Sequence, residues 1–197
     1  MSASRTATVS RETKETRVRA VLDLDGTGTS EVSTGIGFLD HMLEALARHA
    51  RFDLALTCEG DLEVDDHHTA EDCALVLGAA LDEALGDRSG IERFGDAHAP
   101  LDEALARAVC DLSGRPWPQI HLGLARERIG AIAAENVTHF FQSLAIAARM
   151  SLHVDLLRGA NDHHRAEAAF KAAARALRFA VQRTGDARVP STKGVLR

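Results

Sequence analysis

The feature that most limits the possible folds is an internal duplication: two copies of the same ordered set of motifs follow each other along the chain. The matching blocks are R-A-V-L-D-L-D-G (19–26) with R-A-V-C-D-L-S-G (107–114), L-D-H-M-L (39–43) with V-T-H-F-F (137–141), and H-H-T-A-E (67–71) with H-H-R-A-E (163–167). Their shifts are 88, 98 and 96 positions. Because the order is kept, the sequence predicts a tandem repeat, with a first copy over residues 1–90 and a second over 91–197.

Both copies show the same succession of secondary-structure patterns. Residues 16–24 alternate apolar and polar side chains before a glycine turn, and residues 52–58 alternate again, as strands do. Residues 37–50 have helical spacing, and an alanine- and leucine-rich helix follows each H-H-x-x-E unit, with Asp66 and Asp162 where N-caps belong. We therefore predict an α+β fold with helices packed on antiparallel or mixed sheets.

Composition excludes several functional classes. A chain of 197 residues can form one sizeable core, or two half-size modules that share a core. The net charge of -6, one Trp and no Tyr argue against a nucleic-acid binder. The absence of a long apolar run or a signal-peptide core predicts a cytoplasmic protein without a membrane partner. The three cysteines, Cys58, Cys73 and Cys110, form no C-x-x-C pair and are expected to be reduced core thiols.

Histidine is over-represented, and the duplication indicates which histidines matter. Of ten, six recur in both copies, and two glutamates recur with them. The recurring set is His41, His67, His68, Glu71, His139, His163, His164 and Glu167. Imidazole and carboxylate together suit Mn, Fe or Zn. The eight residues divide evenly into two sites of three histidines and one glutamate, which would leave positions open for substrate on an octahedral ion.

The two adjacent histidines of each unit raise a geometric problem. On a helix, His68 lies about 100° and Glu71 about 40° from His67, so the neighbouring imidazoles diverge. One histidine could bind one metal and its neighbour a second, with Glu71 joining either. The competing interpretation is that both units are only solvated helix starts. His49 has no histidine counterpart, and we expect it to line a substrate pocket rather than to bind metal.

The segment V-L-D-L-D-G-T at 21–27 matches the nucleophile motif of haloacid dehalogenase-type phosphatases. In that interpretation Asp23 would be the nucleophile and Asp25 the acid. In the second copy, however, Ser113 stands where Asp25 does, while the strand pattern and the glycine turn persist. The shared feature is therefore a strand end, and the phosphatase remains the alternative function.

Eight motifs in order carry a resemblance to a known family. They are R-E-T-K-E-T (11–16), G-F-L-D-H-M-L (37–43), D-D-H-H-T-A-E-D (65–72), R-F-G (93–95), P-L-D-E-A-L (100–105), D-L-S-G-R-P (111–116), N-D-H-H-R-A-E (161–167) and V-P-S-T-K-G (189–194). Across nearly its whole length the chain resembles the imidazoleglycerol-phosphate dehydratases of histidine biosynthesis. The resemblance implies a duplicated βββαβα fold of the ribosomal S5 domain 2 type, with four-stranded sheets. It also implies a lyase with two Mn²⁺ ions per active site, in a homo-24-mer whose sites lie between subunits.

The resemblance also assigns roles to residues. It implies that the eight recurring residues bind the metals and that Glu15 is the acid-base residue, with Glu71 and Glu167 as competitors for that role. Arg93, Arg115, Ser191 and Lys193 match the family's phosphate contacts, the last two in the C-terminal tail. A non-catalytic metal-binding assembly is a further alternative, and it would not need Glu15, Arg115 or Lys193.

Overall fold

The computed structural model describes residues 4–186, 188–194 and 196. In chain order, the first repeat contains β1 (Thr6–Glu12), β2 (Thr16–Asp23), β3 (Ser30–Ser33), α1 (Gly37–Ala50), β4 (Asp53–Gly60) and α2 (His67–Leu85). The second contains β5 (Phe94–Leu101), β6 (Ala104–Asp111), β7 (Trp117–His121), the short strands β8 (Arg128–Ile129) and β9 (Ile132–Ala133), α3 (Ala134–Ala147), β10 (Ser151–Arg158) and α4 (Asp162–Ala180). Apart from the β8–β9 hairpin, each repeat has the order βββαβα, so the predicted fold class is confirmed.

Each repeat forms one four-stranded mixed sheet. The strand orders are β1-β2-β4-β3 and β5-β6-β10-β7, and in both sheets only the last strand runs parallel to its neighbour. The alternating patterns turn one face of each strand toward the core, where Ala20, Leu22 and Leu56 of the first sheet are fully buried. Neither sheet has the doubly wound parallel order that the phosphatase alternative requires.

The four long helices form the layer that positions the site. Helix α1 packs on α4 and α2 packs on α3, so each helix pair combines one helix from each repeat. Small residues permit this close approach: a Cβ on Gly78 of α2 would lie 2.7 Å from the Ala147 Cβ of α3. Helix α4 contains eight buried alanines, which likewise allow close packing. Residues that are far apart in sequence therefore meet at both helix pairs.

Strand register supports the equivalence of the two repeats. Arg11 pairs with Val18 in the first hairpin, and Ala99 pairs with Ala106 in the second, which is a shift of 88 for both strands. Arg51 and Arg149, which are 98 positions apart, follow α1 and α3 with left-handed φ angles of 60° and 52°. The sequence shifts are thus structural equivalences, and residues of the two repeats can be compared one by one.

Local details differ from the prediction at the helix starts. Asp66 occupies the N-cap position of α2 but makes no capping hydrogen bond with its side chain. Asp162 is already inside α4, and the preceding Asn161 caps that helix by accepting a hydrogen bond from the His163 backbone N–H. The prediction for Asp162 was wrong because two good capping residues are adjacent in the sequence, and only one can precede the first turn.

Other expectations concern the core and the β2 turn. Cys58, Cys73 and Cys110 are free and buried, as predicted. The Asp23 carboxylate accepts a hydrogen bond of 2.9 Å from the Asp25 backbone N–H, which is the geometry of a turn residue at a strand end. Within the described ranges no helix has both the length and the apolar character that a membrane crossing demands.

Candidate functional site

A first cluster of metal-ligating side chains lies between α1 and α4. The Nε2 atoms of His41 and His163 are 3.3 and 3.2 Å from the same Oε2 atom of Glu167. His163 and Glu167 are four residues apart on α4, so they share a helix face, and α1 supplies His41 from the other repeat. The three ligand atoms all lie within 4.8 Å of one another, which is close enough for them to hold one metal ion.

A second cluster lies between α2 and α3 and uses the equivalent residues. Glu71 is 3.1 Å from His139 Nε2 through Oε1 and 3.9 Å from His67 Nε2 through Oε2. The rings of His67 and His139 stack with centroids 4.8 Å apart. Each cluster therefore contains two histidines and one glutamate of this chain, whereas the sequence had suggested three histidines per site.

The remaining two recurring histidines point away from these clusters. The rings of His67 and His68 are inclined at 77°, and those of His163 and His164 at 88°. His68 instead places Nδ1 3.1 Å from Asp61, and His164 places Nδ1 2.7 Å from Glu103. These hydrogen bonds raise the pKa of both imidazoles.

The ring orientations fit metal binding through Nε2. A carboxylate only accepts hydrogen bonds, so Asp61 and Glu103 hold a proton of His68 and of His164 on Nδ1. In the neutral form of each ring, this leaves the Nε2 lone pair available to a metal ion. In the second cluster, His67 Nδ1 lies 3.0 Å from Asn136 Oδ1, and the Asn136 amide donates to the buried Asp66. Such partners are the usual companions of metal-binding histidines.

The two clusters differ in what surrounds them. Phe38 stands 98 positions before Asn136 and meets the ring of His163 edge-on, with centroids 5.1 Å apart. Glu167 is 13% exposed and forms an ion pair of 2.7 Å with Lys171. Burial raises the pKa of Glu167, but the hydrogen bond and charge of Lys171 and the contact with His41 outweigh it, so this pKa is below its ordinary value. Glu71 is 36% exposed and lacks a lysine partner among the described residues.

Glu15 lies at the tip of the β1–β2 hairpin, next to His68. Its Oε1 is 3.8 Å from His68 Nε2, and its side chain is 53% exposed. The Glu15 backbone carbonyl accepts a hydrogen bond from the Asp61 N–H, so one loop contacts both Glu15 and His68. Of the three candidate acid-base residues, Glu15 alone stands outside the two clusters.

The residues assigned to phosphate line one pocket. Arg93, Arg115, Ser191 and Lys193 surround it together with Pro190 and Thr192. Arg93 is held in place, because its guanidinium donates to both carboxylate oxygens of Asp111 and to the Pro190 carbonyl. The pocket therefore contains cationic groups that converge from a strand end, a turn and the tail.

His49 lines a separate pocket with Gly26, Thr27, Arg48 and Arg51. Burial, reinforced by the charges of Lys171 and Arg175, lowers its pKa, which favours the neutral imidazole. Among the described residues, His49 is in neither of the two histidine–glutamate clusters.

Several supporting residues were not found from the sequence. Asn136 and Lys171 have no counterpart of the same type, so the duplication gave no signal for them. Glu103 could have been found, because it stands 88 positions after Glu15 and belongs to P-L-D-E-A-L. Hydrogen bonds from the Asn161 N–H, from His164 and from the Ala160 N–H lower its pKa to about 2.

The fold and the site define a duplicated α+β protein with two histidine–glutamate clusters between its repeats. A family model described as imidazoleglycerol-phosphate dehydratase matches residues 34–177. The chain belongs to this family.

Relatives of the same name support the assignment. The proteins of Eremothecium gossypii and Cereibacter sphaeroides are 52% and 54% identical, over 100% and 98% of this chain and 100% of each relative. A relative from Phytophthora nicotianae is 63% identical over 98% of this chain, which spans 42% of that longer protein. The crystal structure of the Staphylococcus aureus enzyme has a TM-score of 0.82 at 37% identity, covering 91% of this chain and 99% of that one.

Proposed function

We propose that this protein removes water from imidazole glycerol phosphate to give imidazole acetol phosphate, a step of histidine biosynthesis, and that it uses Mn²⁺. The observation that carries the proposal is the pair of equivalent clusters, His41–His163–Glu167 and His67–Glu71–His139. Three protein ligands leave coordination positions of an octahedral metal ion free for substrate, whereas a structural metal site is usually fully coordinated by the protein. Family membership supplies the substrate.

The donor set fits manganese. Each cluster offers nitrogen and carboxylate oxygen and no thiolate, which suits Mn²⁺ and leaves room for further ligands. Bound metal ions would supply positive charge at the imidazole nitrogens of the substrate, which lowers the cost of negative charge on the ring. We propose two Mn²⁺ ions per active site, held by the eight recurring residues.

We propose that the hydroxyl leaves C3 first and that Glu15 then takes the proton from C2 of the substrate, which gives an enol that converts to the ketone. Its carboxylate is half exposed and adjacent to His68, so a substrate held there can reach it. Glu71 and Glu167 are less suited, because both carboxylates lie among the imidazole Nε2 atoms of their clusters.

The phosphate of the substrate is proposed to bind Arg115, Ser191 and Lys193 beside the fixed Arg93. We further propose that His49 lines the substrate pocket. Neutral and partly desolvated, it is able to donate or accept a hydrogen bond there.

We propose that active sites lie between subunits of a homo-24-mer. His163 lies in the first turn of α4, while Arg93 donates from its backbone N–H to Ala180 at the end of that helix. The length of α4 separates His163 from Arg93 by roughly 25 Å. The three-carbon chain that joins the imidazole to the phosphate of the substrate cannot span this distance. His68 and His164, which point away from the clusters of their own chain, are proposed to complete clusters of neighbouring chains.

The test is an assay of purified protein with Mn²⁺ and imidazole glycerol phosphate, in which ketone and free phosphate are measured separately. Ketone without phosphate release is expected. Phosphate release would favour the phosphatase, and metal binding without turnover would favour a non-catalytic assembly.

A second measurement addresses the shared sites. Chelation should reduce the sedimentation coefficient, and Mn²⁺ should restore it, because metal bridges chains. A particle that keeps its size after verified metal removal would contradict the shared-site proposal.

A further inference from the structure

The β1–β2 and β5–β6 hairpins are equivalent in the two repeats but are anchored differently. In the second hairpin, Glu103 is itself the anchor. Its Oε1 accepts hydrogen bonds from the Ala160 N–H at 3.0 Å and the Asn161 N–H at 2.8 Å, and its Oε2 lies 2.7 Å from His164 Nδ1. Both oxygens of this carboxylate are therefore occupied.

In the first hairpin, Glu15 occupies the equivalent position and makes none of these side-chain contacts within the described part of the chain. The anchor is Asp72 on α2, whose buried carboxylate accepts hydrogen bonds from Arg11 Nε at 2.8 Å and from the Thr16 hydroxyl. Thr13 extends it, because its Oγ1 accepts from the backbone N–H groups of Glu15 at 3.1 Å and Thr16 at 3.0 Å. We call these four side chains the polar anchor.

The second repeat lacks the polar anchor entirely. The residues equivalent to Arg11, Thr13, Thr16 and Asp72 are Ala99, Leu101, Ala104 and Ala168. All four equivalent positions are apolar in the second repeat, where Glu103 itself anchors the hairpin. Polar anchoring therefore occurs only where the hairpin glutamate is left free.

Stability alone does not account for the polar anchor. Burying a carboxylate costs free energy that its partners only partly recover, and apolar replacements of such groups are often at least as stable. The second repeat demonstrates that the equivalent hairpin packs on the equivalent helix α4 with the buried alanines Ala99, Ala104 and Ala168. The distinguishing feature of the first repeat is the accessible carboxylate of Glu15 beside His68.

We infer that Asp72 is a positioning residue: through Arg11 and Thr16 it fixes the β1–β2 hairpin on α2, and so presents the Glu15 carboxylate to substrate. The inference rests on the proposed function, because it concerns the residue assigned there to proton transfer. Asp72 follows Glu71 directly, so the helix residue of the polar anchor and the glutamate of the second cluster lie on one turn of α2.

The decisive variant combines Arg11→Ala, Thr16→Ala and Asp72→Ala, which reproduces the packing of the second repeat and leaves no buried carboxylate unpaired. Particle size and Mn²⁺ content should match the wild type. The value of kcat should fall about tenfold while KM changes less than about twofold, since the loss is one of orientation. Thr16→Ser, which keeps the hydroxyl, should retain near-normal kcat, whereas Thr16→Val should lose most of what the triple variant loses.

A double-mutant cycle separates positioning from general damage. In a Glu15→Gln background the triple substitution should cause no further loss of kcat, because the group that it positions is gone. Hydrogen exchange gives an independent measure: amides of residues 11–16 should exchange at least about tenfold faster in the triple variant, with the equivalent residues 99–104 unchanged as internal control. If the wild type is active, either of two results would overturn the inference. One is that the kcat losses of the triple substitution and of Glu15→Gln are fully additive, and the other is that hydrogen exchange at residues 11–16 is unchanged. A wild type without dehydratase turnover would overturn the proposed function itself.

Discussion

The two clusters have the same ligands but different surroundings. His67 is oriented by Asn136 and, through it, by buried Asp66, whereas the equivalent His163 meets Phe38. Glu167 is paired with Lys171, while the residue equivalent to Lys171 is Leu75. Duplication has thus preserved the residues that contact metal in our proposal and changed those behind them. The proposed metal ligands are therefore the same in both clusters while the residues behind them differ, and we expect the two proposed metal ions to bind with different affinities.

The largest difference between equivalent residues of the two repeats is expected for Glu15 and Glu103, the glutamates of the β1–β2 and β5–β6 hairpins. Glu15→Gln keeps the shape but removes a base, so kcat should fall by roughly 10² or more with metal content intact. Glu103→Gln is the matched control, because it alters the equivalent position without touching the proposed proton transfer. At saturating Mn²⁺ it should retain most of kcat. Steady-state kinetics with metal counted per chain gives both results, and normal turnover of Glu15→Gln would move the assignment to Glu71 or Glu167.

The polar contact behind His67 provides the next test. Asn136→Leu removes the acceptor for His67 Nδ1, so Mn²⁺ affinity at the second cluster should weaken by about tenfold or more. Phe38→Leu, at the equivalent position of the first cluster, removes only a ring contact and should change affinity much less. Competition with a metal chelator measures both variants. Equal weakening would show that the two clusters are not tuned differently.

These comparisons also show how far the sequence could lead. The pairing of His67 with Glu71 follows from helical spacing and the duplication, so the sequence alone could predict it. The histidine of the other repeat that joins them could not be predicted in this way, because its place depends on α2 packing against α3. The same holds for Asn136, whose partner lies 69 positions away. The contacts between residues of different repeats depend on how the helices pack, which sequence periodicity does not predict.

The tail makes the second repeat differ from the first in a further way. Lys193 lines the pocket with Arg93 and Arg115, and a charge-assisted contact to phosphate acts on substrate and transition state alike. Lys193→Ala should therefore raise KM by roughly tenfold and lower kcat less. Steady-state kinetics at saturating Mn²⁺ provides the measurement, and a fall in kcat with unchanged KM would contradict a binding role.

The smallest effect is expected at Asp23, whose equivalent in the second repeat is Asp111. Asp111 holds the Arg93 guanidinium with both oxygens, whereas Asp23 accepts the Asp25 backbone N–H in its turn. An asparagine can make that turn contact, so Asp23→Asn should keep kcat and KM within about twofold of the wild type. Asp111→Asn weakens the hold on Arg93 and should raise KM several-fold more than Asp23→Asn does, because the guanidinium lines the phosphate pocket. Kinetics on the matched pair, with ketone and free phosphate assayed separately, checks both expectations. Loss of turnover in a folded, metal-loaded Asp23→Asn protein would restore the interpretation of V-L-D-L-D-G-T as a nucleophile motif. The ends of β2 and β6, which are structurally equivalent, would then differ in their chemistry.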